Sequence, residues 1–341
     1  AVGLRKALTT ATKRNIDHIV FRIDSPGGYI YDVVETLEVL KEFDDHLHYH
    51  APVIGDAISA ASVYVASADD IFVHSNARVG GSVANAKENT WDAAEVDEKF
   101  NSIWAIELAA RAESKGYPGD IFRAMVVENA QVWIHDDGTA SSSRKNEKSE
   151  QIDTPATILT IRASKMIQAN MATEFSGLAS GLGPLLEIEN WSEAKGVGEK
   201  IMRTAARDRV QASKKIKAAL IVYYESLVLM KKEDPRNYTD YYWGEITDRD
   251  STIIYNIQYT PSQDSLKRWR GRNGRAIYHA DRLIAAITEL ARYSMTAEKT
   301  GALHLVIPSE IDERKYEEVI EEREWFLSNR TIPRSLLTRE P

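Results

Sequence analysis

Hydrophobic positions in the first eighty residues switch repeatedly between helical and strand-like spacing. Residues 2–14 place apolar side chains on one side of a helix, and residues 17–23 form a short apolar run typical of a strand. The alternation continues with a predicted helix at 30–43, a strand at 46–57, a small-residue helix at 58–68 and a strand at 70–75. Helices and strands that alternate in this way predict an α/β unit with a mainly parallel sheet.

The central part of the chain begins with a long helix, predicted at 91–115. Two further strands are predicted at 131–135 and 157–161. Asp137 and Gly138 suggest a hairpin turn after the first of them. The polar, serine-rich stretch that continues over 138–153 is expected to be a long mobile loop, either a lid or disordered.

The pattern changes near residue 196 and becomes mainly helical. Residues 199–232 are rich in Lys, Arg, Ala and Leu and contain no proline, which predicts one long helix. Further helices are predicted at 262–298 and 309–329, and short strands at 251–259 and 303–308. We therefore predict an α/β domain over 1–197 and a mainly helical accessory or oligomerisation domain over 198–341.

Composition narrows the chemistry. The 341 residues carry a net charge of −8, so a nucleic-acid surface of clustered Lys and Arg is not expected. The chain has no cysteine, which excludes disulfides, thiolate metal sites and a cysteine nucleophile. The sequence contains no apolar run long enough for a membrane span, no signal-peptide pattern and no phosphate-binding P-loop motif. We expect no cofactor and no metal.

Two small-residue segments are candidates for chemistry. Gly27 and Gly28 follow the first predicted strand, where they either make a simple turn or leave backbone N–H groups open to a negative group. Ser59 follows the second strand and opens a helix, where unpaired N–H groups favour negative charge that develops on a reacting oxygen. The alternative is that Ser59 only caps the helix.

A nucleophilic serine needs a base, and histidine is the first candidate. His46, His48 and His50 alternate along the predicted strand, and none has an acidic partner at a spacing that indicates a catalytic pair. Three imidazoles on one face fit a metal site, but an exposed sheet edge is the interpretation we favour.

Lys99 is the second candidate base. It falls on a predicted apolar stripe of the 91–115 helix together with Ile103, Ile106 and Ala110, which is the face that we expect to be buried, although periodicity alone favours a lysine at the edge of that stripe. Burial disfavours the charged form of a lysine, as a general base requires. The alternative is that the side chain extends from the edge of the stripe into water.

The sequence resembles the Clp-class serine proteases in three segments. These are "IDSPGG" at 23–28, "GDAISAASVYVASADDIFVHSNARVGG" at 55–81 and "DEKFNSIWAIELAARAESKGYP" at 97–118. The resemblance is strongest to their membrane-associated NfeD-type branch, which is related to signal peptide peptidase A, and it covers about residues 5–195. It implies a ClpP/crotonase-like fold (a ββα superhelix) and places a further strand before residue 1.

Carried over by position, the resemblance implies roles for five residues. Ser59 would be the nucleophile, and Lys99 would be the general base of a Ser–Lys dyad. The backbone N–H groups of Ala60 and of Gly28, with Gly27 as a further candidate, would form the oxyanion hole.

Three positions depart from the family pattern. Ile58 stands where a small residue usually precedes the serine, and Ala61 stands where glycine is common. Ser82 occupies the position at which the Ser–His–Asp branch carries its histidine, which favours lysine as the base.

The resemblance implies an ATP-independent serine endopeptidase that cleaves membrane-associated or unfolded polypeptides. The implied partners are a polypeptide substrate, further copies in a homo-oligomer and a membrane protein. We expect an extracytoplasmic, membrane-associated location through segments outside this chain, with the bacterial cytoplasm as the alternative. Two other functions stay open: an inactive scaffold of the same fold, and a crotonase-type acyl-CoA enzyme, which normally needs no serine nucleophile.

Overall fold

The computed structural model describes residues 1–28, 30–83, 91–154, 157–177, 181–238, 261–300 and 311–333. Its contacts divide the chain into two units, Ala1–Thr204 and Ala205–Pro341, close to the boundary predicted after residue 197. The strands predicted at 251–259 and 303–308 lie outside the described residues.

The first unit alternates helices and strands, as its hydrophobic pattern predicts. Its helices are α1 Val2–Lys13, α2 Ile30–Glu42, α3 Ser62–Ala66, α4 Trp91–Ser114, α5 Gly119–Ala124, α6 Ala163–Gln168 and α7 Leu182–Leu185. Its strands are β1 His18–Val20, β2 Ile23–Ser25, β3 His48–Ile58, β4 Asp70–Val73, β5 Arg78–Gly80, β6 Val132–Ile134, β7 Ala140–Ser141, β8 Glu150–Asp153, β9 Thr160–Arg162 and β10 Thr173–Glu174. The predicted α/β class is confirmed.

Strand β3 is the centre of the main sheet. It pairs in parallel with β1 and β2 on one edge and with β4 and β5 on the other, so that Val53 opposes Ile23 on one side and Val73 on the other. β10 extends the sheet beyond β4 in parallel, and β9 extends it beyond β5 in antiparallel. Strands buried on both faces read as nearly continuous apolar runs, and the middle of β3 has this character.

The described part of α4 buries the face opposite to the predicted one. Ile103 and Ile106 are 62% and 66% exposed, whereas Trp104 and Leu108 are 5% and 0% exposed and belong to the core of the unit. The expected burial of Lys99 on the isoleucine stripe is therefore wrong, and Lys99 is exposed. The helix carries two apolar stripes, and the stripe that packs into the core of the unit contains Trp104 and small alanine residues.

The segment predicted as a mobile loop over 138–153 instead contains two strands. β7 and β8 both pair antiparallel with β6 in a separate three-stranded sheet. His135 is buried at the turn, where its two ring nitrogens lie 2.9 Å from the hydroxyls of Ser141 and Ser149. These contacts hold the polar segment against β6, so the prediction of a long disordered loop is wrong, and a role of the segment as a lid stays a prediction.

A buried ionic cluster ties the end of α4 to the rest of the unit. Arg111, which is 4% exposed, pairs with Asp44, and its Nε donates to the hydroxyl of Ser67 at 3.0 Å. Lys115 Nζ lies 3.0 Å from Asp44 and 2.8 Å from Asp69. Two cations and two carboxylates compensate each other here, which makes their shared burial tolerable.

The second unit is built on three long helices. These are α8 Glu199–Glu233, α9 Gln263–Thr300 and α10 Glu313–Ser328, and the helices predicted at 199–232, 262–298 and 309–329 are confirmed. α9 and α10 are joined by Asn273, whose side-chain amide donates to the carbonyls of Phe326 and Asn329 at 2.9 and 2.8 Å. None of the helices in the described ranges is long and apolar enough to cross a membrane.

Candidate active site

The Pro-Gly-Gly loop and Ser59 meet because they follow neighbouring parallel strands. In β2 and β3, Ser25 is paired with Ala57, so residues just beyond each partner emerge at the same end of the sheet. The carboxyl ends of parallel strands are where α/β proteins commonly bind their ligands. Residues 26–28 consequently lie beside residues 58–60.

Gly27 approaches Ser59 more closely than any other residue type would allow. A Cβ placed on Gly27 would lie 2.6 Å from the Cβ of Ser59 and 3.1 Å from its Oγ. Gly27 also has φ +118°, a region that side-chain-bearing residues rarely adopt. A Cβ on Gly28 would meet only the Cβ of Ala60, at an ordinary 3.7 Å. The loop and the serine therefore line one surface.

Ser59 sits on a sharp turn between β3 and α3. Its φ is +56°, in the left-handed region, and a 3₁₀ turn over Ser59–Ala61 leads directly into α3. The N-cap position of α3 belongs to Ala61, without a side-chain capping bond, so the alternative in which Ser59 only caps the helix is wrong. A strained serine between a strand and a helix is the geometry by which nucleophile elbows expose Oγ.

Two buried hydroxyls hold the main chain of Ser59. Ser62 Oγ donates to the Ser59 carbonyl at 2.8 Å, and Ser82 Oγ lies 2.7 Å from Ser62 Oγ. Ser62 and Ser82 are 0% and 4% exposed. The N–H of Ser82 donates to the carbonyl of Met125 at 2.6 Å, which fixes the position of this pair.

The predicted oxyanion donors differ in their hydrogen bonding. The N–H of Gly27 donates to the hydroxyl of Ser25 at 3.2 Å, so in this arrangement it does not point into the site. Gly28 is exposed and Ala60 is half-buried. Gly28 and Ala60 are accordingly the better candidates of the three.

Charged side chains near the site link the strands that carry it. Asp24 Oδ1 accepts from the N–H of Asp56 at 3.2 Å, which links the end of β2 to β3. Arg78 of β5 binds the carboxylate of Asp56 through two hydrogen bonds of 2.8 and 2.7 Å. Three neighbouring strands are thereby cross-linked within a few residues of Ser59.

The predicted histidine face is neither a sheet edge nor fully exposed. His50 is 2% exposed in the central strand, with Nδ1 3.0 Å from Asp70 Oδ2 and Nε2 2.9 Å from His18 Nδ1. The prediction of an exposed edge is wrong, because β3 has a neighbour on each side. Within the described ranges, no group of His, Cys, Asp and Glu is arranged to hold a metal ion.

The histidine cluster shifts the pKa of two of its members. Burial, and then the neighbouring His50 and His48, lower the pKa of His18. The hydrogen bond from His50 lowers the pKa of Asp70. The cluster lies at the start of β3, at the opposite end of the strand from Ser59.

Comparison with known families finds a match to the first part of the chain. A family model described as "NfeD1b, N-terminal domain" matches residues 2–143. Over these residues the chain is similar to the N-terminal domain of the NfeD1b family. The solved structures include a mutant of the 1510-N membrane-bound stomatin-specific protease in complex with a substrate peptide, to which this chain is similar at 11% identity. The match covers 52% of this chain and 69% of that one, with a TM-score of 0.37. A comparison with curated proteins found no significant match.

The structure adds two residues to the predicted set, Ser62 and Ser82. Ser62 lies in the segment at 55–81 that carries the resemblance, and Ser82 stands where the Ser–His–Asp branch has its histidine. The signal that could have identified them is their polarity at positions that the apolar pattern buries. Of the predicted set, Ser59, Ala60, Gly27 and Gly28 come together; Lys99 lies on the exposed side of α4, and its pairing with Ser59 stays a prediction.

Proposed function

We propose that this chain is an ATP-independent serine endopeptidase in which Ser59 and Lys99 form a Ser–Lys dyad. The observation that carries the proposal is the close approach of Gly27 to Ser59, with 2.6 Å between the Cβ of Ser59 and the position of a Cβ on Gly27. The bare Gly-Gly loop thus lies against a serine held in a left-handed conformation at a strand end. A serine turn of purely structural origin does not require this approach.

In the proposed reaction, Ser59 Oγ attacks a peptide carbonyl while Lys99 Nζ accepts the serine proton. The carbonyl oxygen becomes an oxyanion, which the N–H groups of Ala60 and Gly28 would stabilise by a few kcal/mol. Lys99 then gives the proton to the leaving amine, which completes acylation. In deacylation, Lys99 accepts a proton from water as the water attacks the acyl-enzyme, and it returns that proton to Ser59 Oγ. The two proton transfers balance, so the cycle needs no cofactor.

The exposure of Lys99 sets a condition on this mechanism. A lysine is a base only in its neutral form, and removal from water favours that form. Because Lys99 is exposed, the proposal requires that a bound polypeptide covers its ammonium group. An extended or unfolded segment, which can follow the loop at 26–28, is the substrate class that suits this requirement.

A fluorophosphonate probe tests the nucleophile directly. We expect the probe to label the wild type at Ser59, and we expect Ser59→Ala to abolish both labelling and the cleavage of casein. Lys99→Ala should lower both rates by about a hundredfold or more, since general-base catalysis typically contributes factors of this size. Peptide mapping of the labelled protein identifies the modified residue.

Matched controls are Ser67→Ala and Lys13→Ala. Ser67 is a buried serine that binds Arg111, and Lys13 is an exposed lysine at the end of α1. Both variants should be labelled like the wild type. The proposal is abandoned if the folded wild type is not labelled and Ser59→Ala cleaves casein at the wild-type rate.

The exposure of Lys99 favours one other function, an inactive scaffold of the same fold. In that case the wild type stays unlabelled, and Lys99→Ala changes neither labelling nor stability.

The proposed partners of the peptidase are a polypeptide substrate, further copies of the chain and a membrane protein. The proposed location is extracytoplasmic and membrane-associated.

A further inference from the structure

The carbonyl of Ser59 and the N–H of Ala60 belong to one peptide group. A peptide group is planar, so the direction of its oxygen determines the direction of its N–H. The Ser59 oxygen accepts from a backbone N–H at the end of the 3₁₀ turn and from the hydroxyl of Ser62 at 2.8 Å, and it lies 3.4 Å from the hydroxyl of Ser82. Whatever fixes this oxygen also fixes the proposed oxyanion donor on the opposite edge of the plane.

One arrangement of the two hydroxyl protons satisfies both of the shorter contacts. Each serine hydroxyl has a single proton to donate. The shorter distances indicate that Ser82 donates to Ser62, at 2.7 Å, and that Ser62 donates to the Ser59 carbonyl. The result is a chain of two hydrogen bonds that starts at Ser82 and ends on the peptide plane of the candidate nucleophile.

These two hydrogen bonds hold Ser59 in a strained backbone conformation. A left-handed φ in a residue with a side chain costs about 1–2 kcal/mol, and Ser59 has φ +56°. Ser62 and Ser82 are both buried, so water does not compete for their hydroxyls. Ser82 is itself anchored through its N–H on the carbonyl of Met125, at the end of α5.

We propose that Ser62 and Ser82 are positioning residues that fix the Ser59–Ala60 peptide plane and thereby aim the Ala60 N–H at the oxyanion. This inference rests on the proposed peptidase function and assigns a positioning role to two buried hydroxyls. Ser62 acts on the plane directly, and Ser82 acts through Ser62. The loss of Ser62 should therefore be the more damaging of the two.

The kinetic test uses Ser62→Ala, Ser82→Ala and the double variant. We expect kcat to fall about tenfold or more for Ser62→Ala and less for Ser82→Ala, with KM nearly unchanged, because the plane matters in the transition state. The double variant should resemble Ser62→Ala, since the two hydroxyls act in series. Ser82→Thr, which keeps the hydroxyl, should recover most of the rate.

The control for stability is Ser67→Ala, which removes another buried hydroxyl that does not contact Ser59. It should lower the melting temperature without changing kcat per folded molecule. Equal kcat in Ser62→Ala, Ser67→Ala and the wild type, or a change confined to KM, would overturn the inference.

A structural measurement separates this inference from the peptidase proposal. Crystal structures of the wild type and Ser62→Ala should show a rotated Ser59–Ala60 plane and a changed Ser59 φ in the variant. If the wild type is inactive but the plane rotates, the peptidase proposal fails while the assignment of Ser62 and Ser82 to the plane holds. If the plane stays in place, the positioning assignment is wrong whatever the activity.

Discussion

Gly27 and Ser59 illustrate how two residues can require each other. The left-handed Ser59 projects its side chain toward the loop, and only a residue without a Cβ leaves space for it. Gly27 in turn needs the conformational freedom of glycine for its own φ of +118°. The pair is over-determined, as strained functional turns usually are.

Gly27→Ala should remove activity with a smaller effect on the fold. The added methyl would lie 2.6 Å from the Ser59 Cβ, so either the loop or the serine has to move. We expect at least about a hundredfold loss of fluorophosphonate labelling, because misplacement by about 1 Å has effects of this size. Labelling rates and circular dichroism measure the two quantities separately.

Gly116→Ala is the control for backbone strain alone. Gly116 has φ +84°, and among the described atoms none lies within 4 Å of the position of its Cβ. It should lose about 1 kcal/mol or somewhat more in stability and keep its labelling rate. If both alanine variants are labelled at the wild-type rate, the close approach of Gly27 has no functional meaning.

At the residue scale, the sequence predicts Ser59 and the two glycines better than it predicts the position of Lys99 or the contacts of the buried serines. Ser59 and the two glycines stand at strand ends, where turns and helix caps also use such residues, so their assignment depends on the resemblance to the Clp-class proteases. The stripe of α4 that contains Lys99 is the wrong one for the core, because α4 carries two apolar stripes and only the packing of Trp104 decides between them. Ser62 and Ser82 carry no sequence signal for the peptide plane that they hold.

Among the secondary-structure elements, the histidine cluster links three strands at the end remote from the site. His18 lies on β1, His50 on β3 and Asp70 on β4, and one hydrogen-bond chain connects them. The rings of His18 and His48 are also stacked, at 5.4 Å between centroids. Protonation of the imidazoles in this cluster should therefore affect the pairing of β1 with β3.

Acidification should weaken this part of the sheet. The pKa of His18 is lowered from its ordinary value of 6.5, so the folded state binds fewer protons than the unfolded state. The corresponding stability is complete above pH 6.5 and falls as the pH decreases below it. Urea midpoints of the wild type should therefore decrease from about pH 7.5 to about pH 5.5, and more weakly in His18→Gln.

His46→Gln provides the matched control, because His46 is exposed and precedes β3. Its urea midpoints should depend on pH as those of the wild type do. A wild-type pH dependence that persists unchanged in His18→Gln would contradict the assignment. The lowered pKa of Asp70 adds a second loss of stability, which occurs only as the pH falls below its ordinary value of 3.8.

The order of elements is predictable from periodicity, whereas pairing over longer distances is not. The alternation of spacing indicates the helices and strands of residues 1–75, and the turn at Asp137 and Gly138 is found as expected. β8 was missed because its sequence is polar and its stability comes from pairing with β6. Such a strand is defined by its partner rather than by its own composition.

For the molecule as a whole, the two units have separate hydrophobic cores. The core of the first contains Leu108 and Phe122, and the core of the second contains Leu283 and Ile216, with no described residue in both clusters. The change of pattern near residue 196 predicts a boundary between an α/β part and a helical part of the chain, and it gives no indication of what the second unit does.

Separate cores should unfold in separate transitions. Leu108→Ala and Leu283→Ala each remove a fully buried side chain, which typically costs about 2–5 kcal/mol. We expect each substitution to lower the temperature of one calorimetric transition and to leave the other in place. A single transition that both variants shift equally would show that the chain unfolds as one cooperative unit.

The position of β3 has a consequence for amide hydrogen exchange. Because β3 has partners on both edges, its amide protons should exchange only when the first unit opens globally. The peptide group of Ser59 is attached to the end of this slowest-exchanging strand. Fraying of α1 and β1 should then expose the amide of His18 to deuterium within minutes, while the central residues of β3 keep their amide protons for much longer.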